Sequence, residues 1–139
     1  MKFCNPGKVK VGYKLPELMI RPITNEMLTL YANASGDYNP IHLDKSYAQR
    51  AGLPDVIAHG MLIMSFLGQA LINNIEQAKI KEYGVQFSSI TKINDILICN
   101  GSVSYIHKVQ GADMAHFDLK VTDNNGNEKL VGYSKIILN

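Results

Sequence analysis

Between residues 8 and 15 the chain reads KVKVGYKL, and Val9, Val11, Tyr13 and Leu15 fall on one side of a two-residue period. That alternation predicts a half-buried strand, which Pro16 ends. From about 25 to 35 the period changes: Met27, Leu28, Tyr31 and Ala34 recur at helical spacing, with Thr24 as N-cap and Ser35 and Gly36 as the stop. Pro40 keeps Asn39 out of helix and bends the chain after it. A short helix is predicted over 44–51, capped by Asp44, and Gly52 and Pro54 then open a loop that reaches Val56 to Gly60.

The segment 61–76 (MLIMSFLGQALINNIE) is apolar nearly all round, which predicts a helix wrapped by the rest of the protein. Gly68 in its middle costs roughly 1 kcal/mol against Ala, a cost expected only where something packs close. After it the two-residue period returns. Val85 and Phe87, then Leu97, Cys99, Val103 and Tyr105, then Ala115, Phe117, Leu119 and Val121 alternate with polar residues, and KLVGYSKIIL supplies a last strand. Gly111 marks one turn, and DNNGN (123–127) another, where the Asn125 and Gly126 pair favours a tight hairpin. The whole reads as an α+β domain: one early strand, a helical half, then an antiparallel meander curling round one greasy helix.

Composition narrows the function classes. The 139 residues are enough for one domain with its own core, and the formal charge of +2 comes from scattered Lys and Arg, so neither a nucleic-acid footprint nor a polybasic membrane anchor is predicted. No charge falls between Gly60 and Ile75, yet that run is short of the ~20 residues a membrane helix needs. Cys4 and Cys99 lie far apart without metal-ligand spacing, and the first residues, MKFCNPGKVKVG, lack the apolar run of a secretory signal. A cytoplasmic protein with reduced thiols is expected.

Two stretches bear chemistry. SGDYNPIH (35–42) gathers the carboxylate of Asp37, the carboxamide of Asn39 and the imidazole of His42 around a turn. A carboxylate and an imidazole can together move a proton each way near neutrality, and a carboxamide can hold a water. Asp and Asn beside Gly and Pro are also ordinary turn builders, so a purely structural turn stays open on composition. In AHGMLIMS (58–65), Gly60 opens the apolar helix, where unpaired amides and the positive end of the helix dipole can hold an oxyanion. There the plain alternative is a flexible entry glycine with His59 as a cap.

SGDYNPIHLDKSYA (35–48) followed by AHGMLIMS (58–65) closely resembles the MaoC-like dehydratases, the (R)-specific enoyl-CoA hydratase family, whose hallmark is a GDxNPxH turn and a later AHG-type segment. The resemblance extends, more loosely, over nearly the whole chain. It implies a hot-dog fold, a curved antiparallel sheet wrapped around a long central apolar helix, usually paired in a homodimer. It implies reversible addition of water to a trans-2-enoyl thioester to give the (R)-3-hydroxyacyl thioester, with CoA or acyl carrier protein as the thioester's carrier and no cofactor of the enzyme's own. Carried over by position, Asp37 and His42 become the catalytic pair, Asn39 a helper for the water or the loop, and the Gly60 amide the oxyanion donor, with His59 and Met61 beside it against the substrate. The chain departs from the family where relatives commonly carry a proline and then Gly-Asp ahead of the long strand: it has Ile90 and Asn94–Asp95.

The remaining candidates are plainer. His107 and His116 are read as surface or packing residues, and DNNGNE (123–128) as a hairpin turn too short for a calcium loop. Asp37, His42, Asp44 and His59 could chelate a metal in principle, but no HExxH-type spacing supports one and none is expected. Beside the hydratase stand a 3-hydroxyacyl dehydratase acting on acyl carrier protein and a non-catalytic acyl-thioester-binding subunit.

Overall fold

The computed structural model of the protein describes residues 5–138. Its elements are β1 (Leu18–Ile20), α1 (Asn25–Ser35), α2 (Lys45–Arg50), α3 (Gly60–Ile72), β2 (Ile80–Phe87), β3 (Leu97–Val109), β4 (Ala112–Asp123) and β5 (Glu128–Ile137), with single helical turns at Pro6–Lys8, Pro40–His42 and Gln77–Lys79. All strands join one antiparallel sheet in the order β1-β3-β4-β5-β2. The sheet curls around α3, whose Leu62, Ile63, Leu67, Ala70 and Leu71 are buried with Phe117, Leu119, Val121, Leu97 and Cys99 of the strands. This is the hot-dog architecture.

Local chemistry explains the helix ends. Thr24 caps α1 with its hydroxyl on the Met27 amide, and Gly36 closes it at φ 78°, a left-handed value that a side chain disfavours. Asp44 caps α2 through the Tyr47 amide. The apolar helix ends at Ile72, earlier than its composition predicts, because Asn73 and Asn74 draw their side chains back onto the preceding turn: Asn74 Nδ2 donates to the Ala70 carbonyl. Nor is α3 wrapped all round. Met61, Ser65 and Gln69 form an exposed stripe at i, i+4, i+8, opposite the sheet.

Two other expectations change. Residues 8–15 are not a regular strand: Gly12 turns the chain at φ 89°, and only 12–15 run beside β3, with Leu15 donating to Gly101 and Val103 to Tyr13. The regular strand β1 begins beyond Pro16 instead. The meander holds for β3, β4 and β5, joined at the first turn by Gln110 and Gly111 at φ 51° and 81°, but β2 pairs with β5 and not with β3. The chain after Phe87 must therefore cross from the β2 edge of the sheet, past β5 and β4, to β3. It is stitched on the way: Ala58 donates to Thr91, Asn94 to Ile23, and Ile23 to Asp95. Asn94 sits at φ 73°, a left-handed value that asparagine tolerates better than most residues with a side chain. Cys4 lies outside the described residues, and Cys99 is buried and unpaired.

Candidate active site

The crossover decides where the site lies. Residues 88–91 run past the N-terminal end of α3 and, with His42, Ile57, Ala58, Gly60, Ile63, Phe87 and Lys129, enclose a cavity of about 330 Å³. Lys129 fixes the outer wall. Its ammonium donates to the Ile90 carbonyl at 2.9 Å and pairs with Asp95 and Asp123 at 3.2 and 3.4 Å, while its backbone carbonyl accepts from Ser88 and Ser89. With three acceptors around it the buried charge is compensated. Phe87 to Thr91 and Lys129 line the cavity as residues that no sequence pattern flagged.

On the inner wall, Gly36 releases the chain from α1 and SGDYNPIH folds back on itself. The Asp37 amide donates to the Ser35 hydroxyl, the Asn39 amide to Asp37 Oδ1, and the Ile41 amide to Asn39 Oδ1, which starts the single turn Pro40–His42. The carboxamide oxygen of Asn39 is thus turned to the loop. His42 Nδ1 lies 2.7 Å from the Ile57 carbonyl. A carbonyl only accepts, so Nδ1 carries the proton and Nε2 offers a lone pair.

The AHG segment completes the corner. His59 precedes α3 without capping it through its side chain, so the first-turn amides of Gly60 and Met61 keep their N–H groups for another acceptor, with the helix dipole behind them. Space at Gly60 is tight: a Cβ there would meet the Phe87 ring at 3.0 Å, so the ring would have to give way. Met61 is well exposed at 57%. His59, expected against the substrate, is instead buried at 2%: its Nε2 lies 3.1 Å from the Asp37 carbonyl, and its ring stacks on His42 at 3.9 Å. Burial pushes its pKa below the ordinary value and a charge on His42 would push the same way, against the Asp37 carbonyl and carboxylate, which favour protonation.

Asp37, His42 and His59 bring a nitrogen or carboxylate oxygen each to within 4.8 Å of one another. Such a trio is also a donor set a metal ion could use, although one nitrogen of each ring is already engaged with a backbone carbonyl. Asp44 stands apart on its own helix cap. His116 lies on the sheet between Tyr105 and Tyr133, stacked on both, as a packing residue.

What the corner can do is hold a water between a carboxylate and an imidazole lone pair, with an amide donor at the mouth of an apolar slot. The chain is similar to proteins named as hydratases and dehydratases. The chain is 30% identical over 118 residues to the fatty acid synthase beta subunit TOXC of Cochliobolus carbonum, covering 83% of this chain and only 5% of that protein. It is 28% identical over 123 residues to the mitochondrial 3-hydroxyacyl-[acyl-carrier-protein] dehydratase of Arabidopsis thaliana, covering 88% of this chain and 72% of that one. The R-hydratase PhaJ1 from Pseudomonas aeruginosa superposes with a TM-score of 0.83 at 26% identity, over 96% of this chain and 84% of its own. The sequence profile of the MaoC like domain matches residues 10–125, and the chain belongs to the MaoC-like domain family of hydratases and dehydratases.

Proposed function

We propose that the protein is an (R)-specific enoyl-CoA hydratase, adding water reversibly to a trans-2-enoyl-CoA to give the (R)-3-hydroxyacyl-CoA. The observation that carries this reading is that His42, its Nδ1 engaged with Ile57, lines one cavity with Gly60 while the Asp37 carboxylate lies within 4.8 Å of its ring nitrogen. Asp37 and His42 grip one water. Asp37 takes a proton from it as its oxygen bonds to the β-carbon, and the π electrons of the enoyl group shift onto the thioester oxygen. The Gly60 N–H, at the positive end of α3, stabilises that oxyanion. The α-carbon then takes a proton from the dyad, and the thioester carbonyl re-forms.

The neighbouring reading is dehydration of a 3-hydroxyacyl chain on acyl carrier protein, favoured by the likeness to the plant dehydratase over most of its length. The two run the same steps in opposite directions and differ in the carrier. A homodimer fits the open edge of β2 and the exposed Met61 and Phe87 beside Gly60. A cytoplasmic place fits the buried free thiol of Cys99; among the described residues no helix is long and apolar enough to cross a membrane.

The deciding assay is hydration of short, medium and long enoyl-CoA, with the same chains on carrier protein in parallel and chiral analysis of the product. An (R)-product made faster from CoA supports the proposal. An (S)-product, or tight binding without turnover, sinks it.

A further inference from the structure

His59 is a costly residue to bury. Its Nδ1 is shut off from solvent without a hydrogen-bond partner among the described residues, and an orphaned buried acceptor is destabilising. An apolar side chain of similar size would fill the space without that cost. The ring, however, makes two contacts at once. Its Nε2 meets the Asp37 carbonyl at 3.1 Å and so must carry the proton, which leaves Nδ1 as the bare acceptor. Its face lies against His42 at 3.9 Å with 27° between the planes, while the edge-on ring of Tyr31, 4.8 Å away, supports its other flank.

A leucine would lose the N–H, and a glutamine would lose the face. Only a flat ring with an N–H tethers the Asp37 backbone and sets the plane of the His42 imidazole together. We propose that His59 is a positioning residue for the Asp37–His42 pair, acting through these two contacts and not by touching substrate. Its place immediately before α3 ties the same residue to the helix start that presents the Gly60 amide, so one side chain registers the water site against the oxyanion site. The ionisable groups that face it are Asp37, His42 and Tyr31, from the loop 35–42 and from α1.

The kinetic part of the test rests on the hydratase reading; the spectroscopic part does not. His59→Gln keeps an N–H for the carbonyl and removes the ring, whereas His59→Phe keeps a flat face and removes the N–H. In folded variants each should lower kcat for enoyl-CoA hydration on the order of 10²-fold with KM unchanged, the scale of a small misplacement of reacting groups. In a His42→Ala background, His59→Gln should cost no more than about threefold further, because the ring it supports is gone. Undiminished losses there, or losses confined to KM, would overturn the proposal.

Long-range ¹H–¹⁵N spectra of the wild type should place the His59 proton on Nε2 and the His42 proton on Nδ1. The His42 ring signals should move in His59→Gln and the 37–39 amides in His59→Phe. A His59 proton found on Nδ1, or His42 and 37–39 signals unmoved in both variants, refutes the positioning role whatever the activity. If the wild type hydrates nothing, the hydratase reading fails and the spectra alone decide the role of His59.

Discussion

Two turns in this protein are built from the same residues, and they are put to opposite uses. In DNNGN, the carboxylate of Asp123 is 5% exposed and used up: it accepts the amides of Asn125 and Asn127 at 2.9 Å each and the Asn127 carboxamide at 3.1 Å, with Lys129 at 3.4 Å. In SGDYN, the carboxylate of Asp37 is exposed and, among the described residues, accepts one hydrogen bond, from the Asn39 amide at 3.2 Å. One of its oxygens lies within 4.8 Å of a ring nitrogen of His42 and of His59. Turn chemistry alone does not separate them. What separates them is how much of the carboxylate is left after the turn is made.

Because of that difference, the two acids should respond oppositely to the same change. Asp37→Asn should lower hydration by roughly 10²–10⁴-fold while shifting unfolding free energy by no more than about 0.5 kcal/mol, because an amide oxygen can still accept from Asn39. His42→Ala should fall in the same range of kcat. Steady-state kinetics with thermal melts of the same samples checks both; a folded Asp37→Asn protein of near-wild-type activity would break the comparison. Gly60→Ala comes next. Its methyl group pushes on Phe87 and on the helix start, and a loss of up to roughly 10²-fold is expected, the low end for a lost oxyanion donor. Phe87→Leu in that background should recover part of it.

Asp123→Asn should do the reverse of Asp37→Asn. It removes the charge opposite a buried ammonium that still has Asp95 and Ile90, so a loss of about 1–3 kcal/mol is expected, with kcat per folded molecule unchanged. Denaturant titration alongside single-substrate kinetics measures the two effects. A drop in kcat without a drop in stability would show that the Lys129 tether shapes the cavity more than it stabilises the fold.

The elements were readable in the sequence wherever one local rule dominated. Thr24, Gly36 and Asp44 mark their helix ends by capping chemistry, and the alternation in β3, β4 and β5 survives because one face of each is buried. Two misses were local, the turn at Gly12 and the early stop at Asn73 and Asn74, and the larger one was tertiary pairing. Nothing local tells β2 to seek β5, and with that crossover hidden, the cavity wall of Ser88 to Thr91 and its Lys129 tether were hidden too. The candidates Asp37, His42 and Gly60 were legible through a dense motif; Asp37 lies near His42, and His42 and Gly60 share one cavity. The burial of His59 was not, because a histidine beside a glycine at a helix start reads the same whether it faces substrate or core.

The smallest effect concerns pH and follows from the fully used carboxylate. Burial by itself would raise the Asp123 carboxyl, but the Asn127 and Asn125 donors and the Lys129 charge outweigh it and hold it down to about 2, against an ordinary value of 3.8. The folded protein therefore takes up this proton less readily than the unfolded chain. Its contribution to stability is complete above the unfolded value and is lost as pH falls from about 4 through about 2. Unfolding free energies across pH 2 to 7 should show that loss in the wild type and a shallower acid limb in Asp123→Asn, with the two proteins differing by a constant amount at neutral pH. If the acid limbs of the two proteins run parallel instead, the Asp123 carboxylate is not held by its donors, and the distinction between a finished turn and an unfinished one fails.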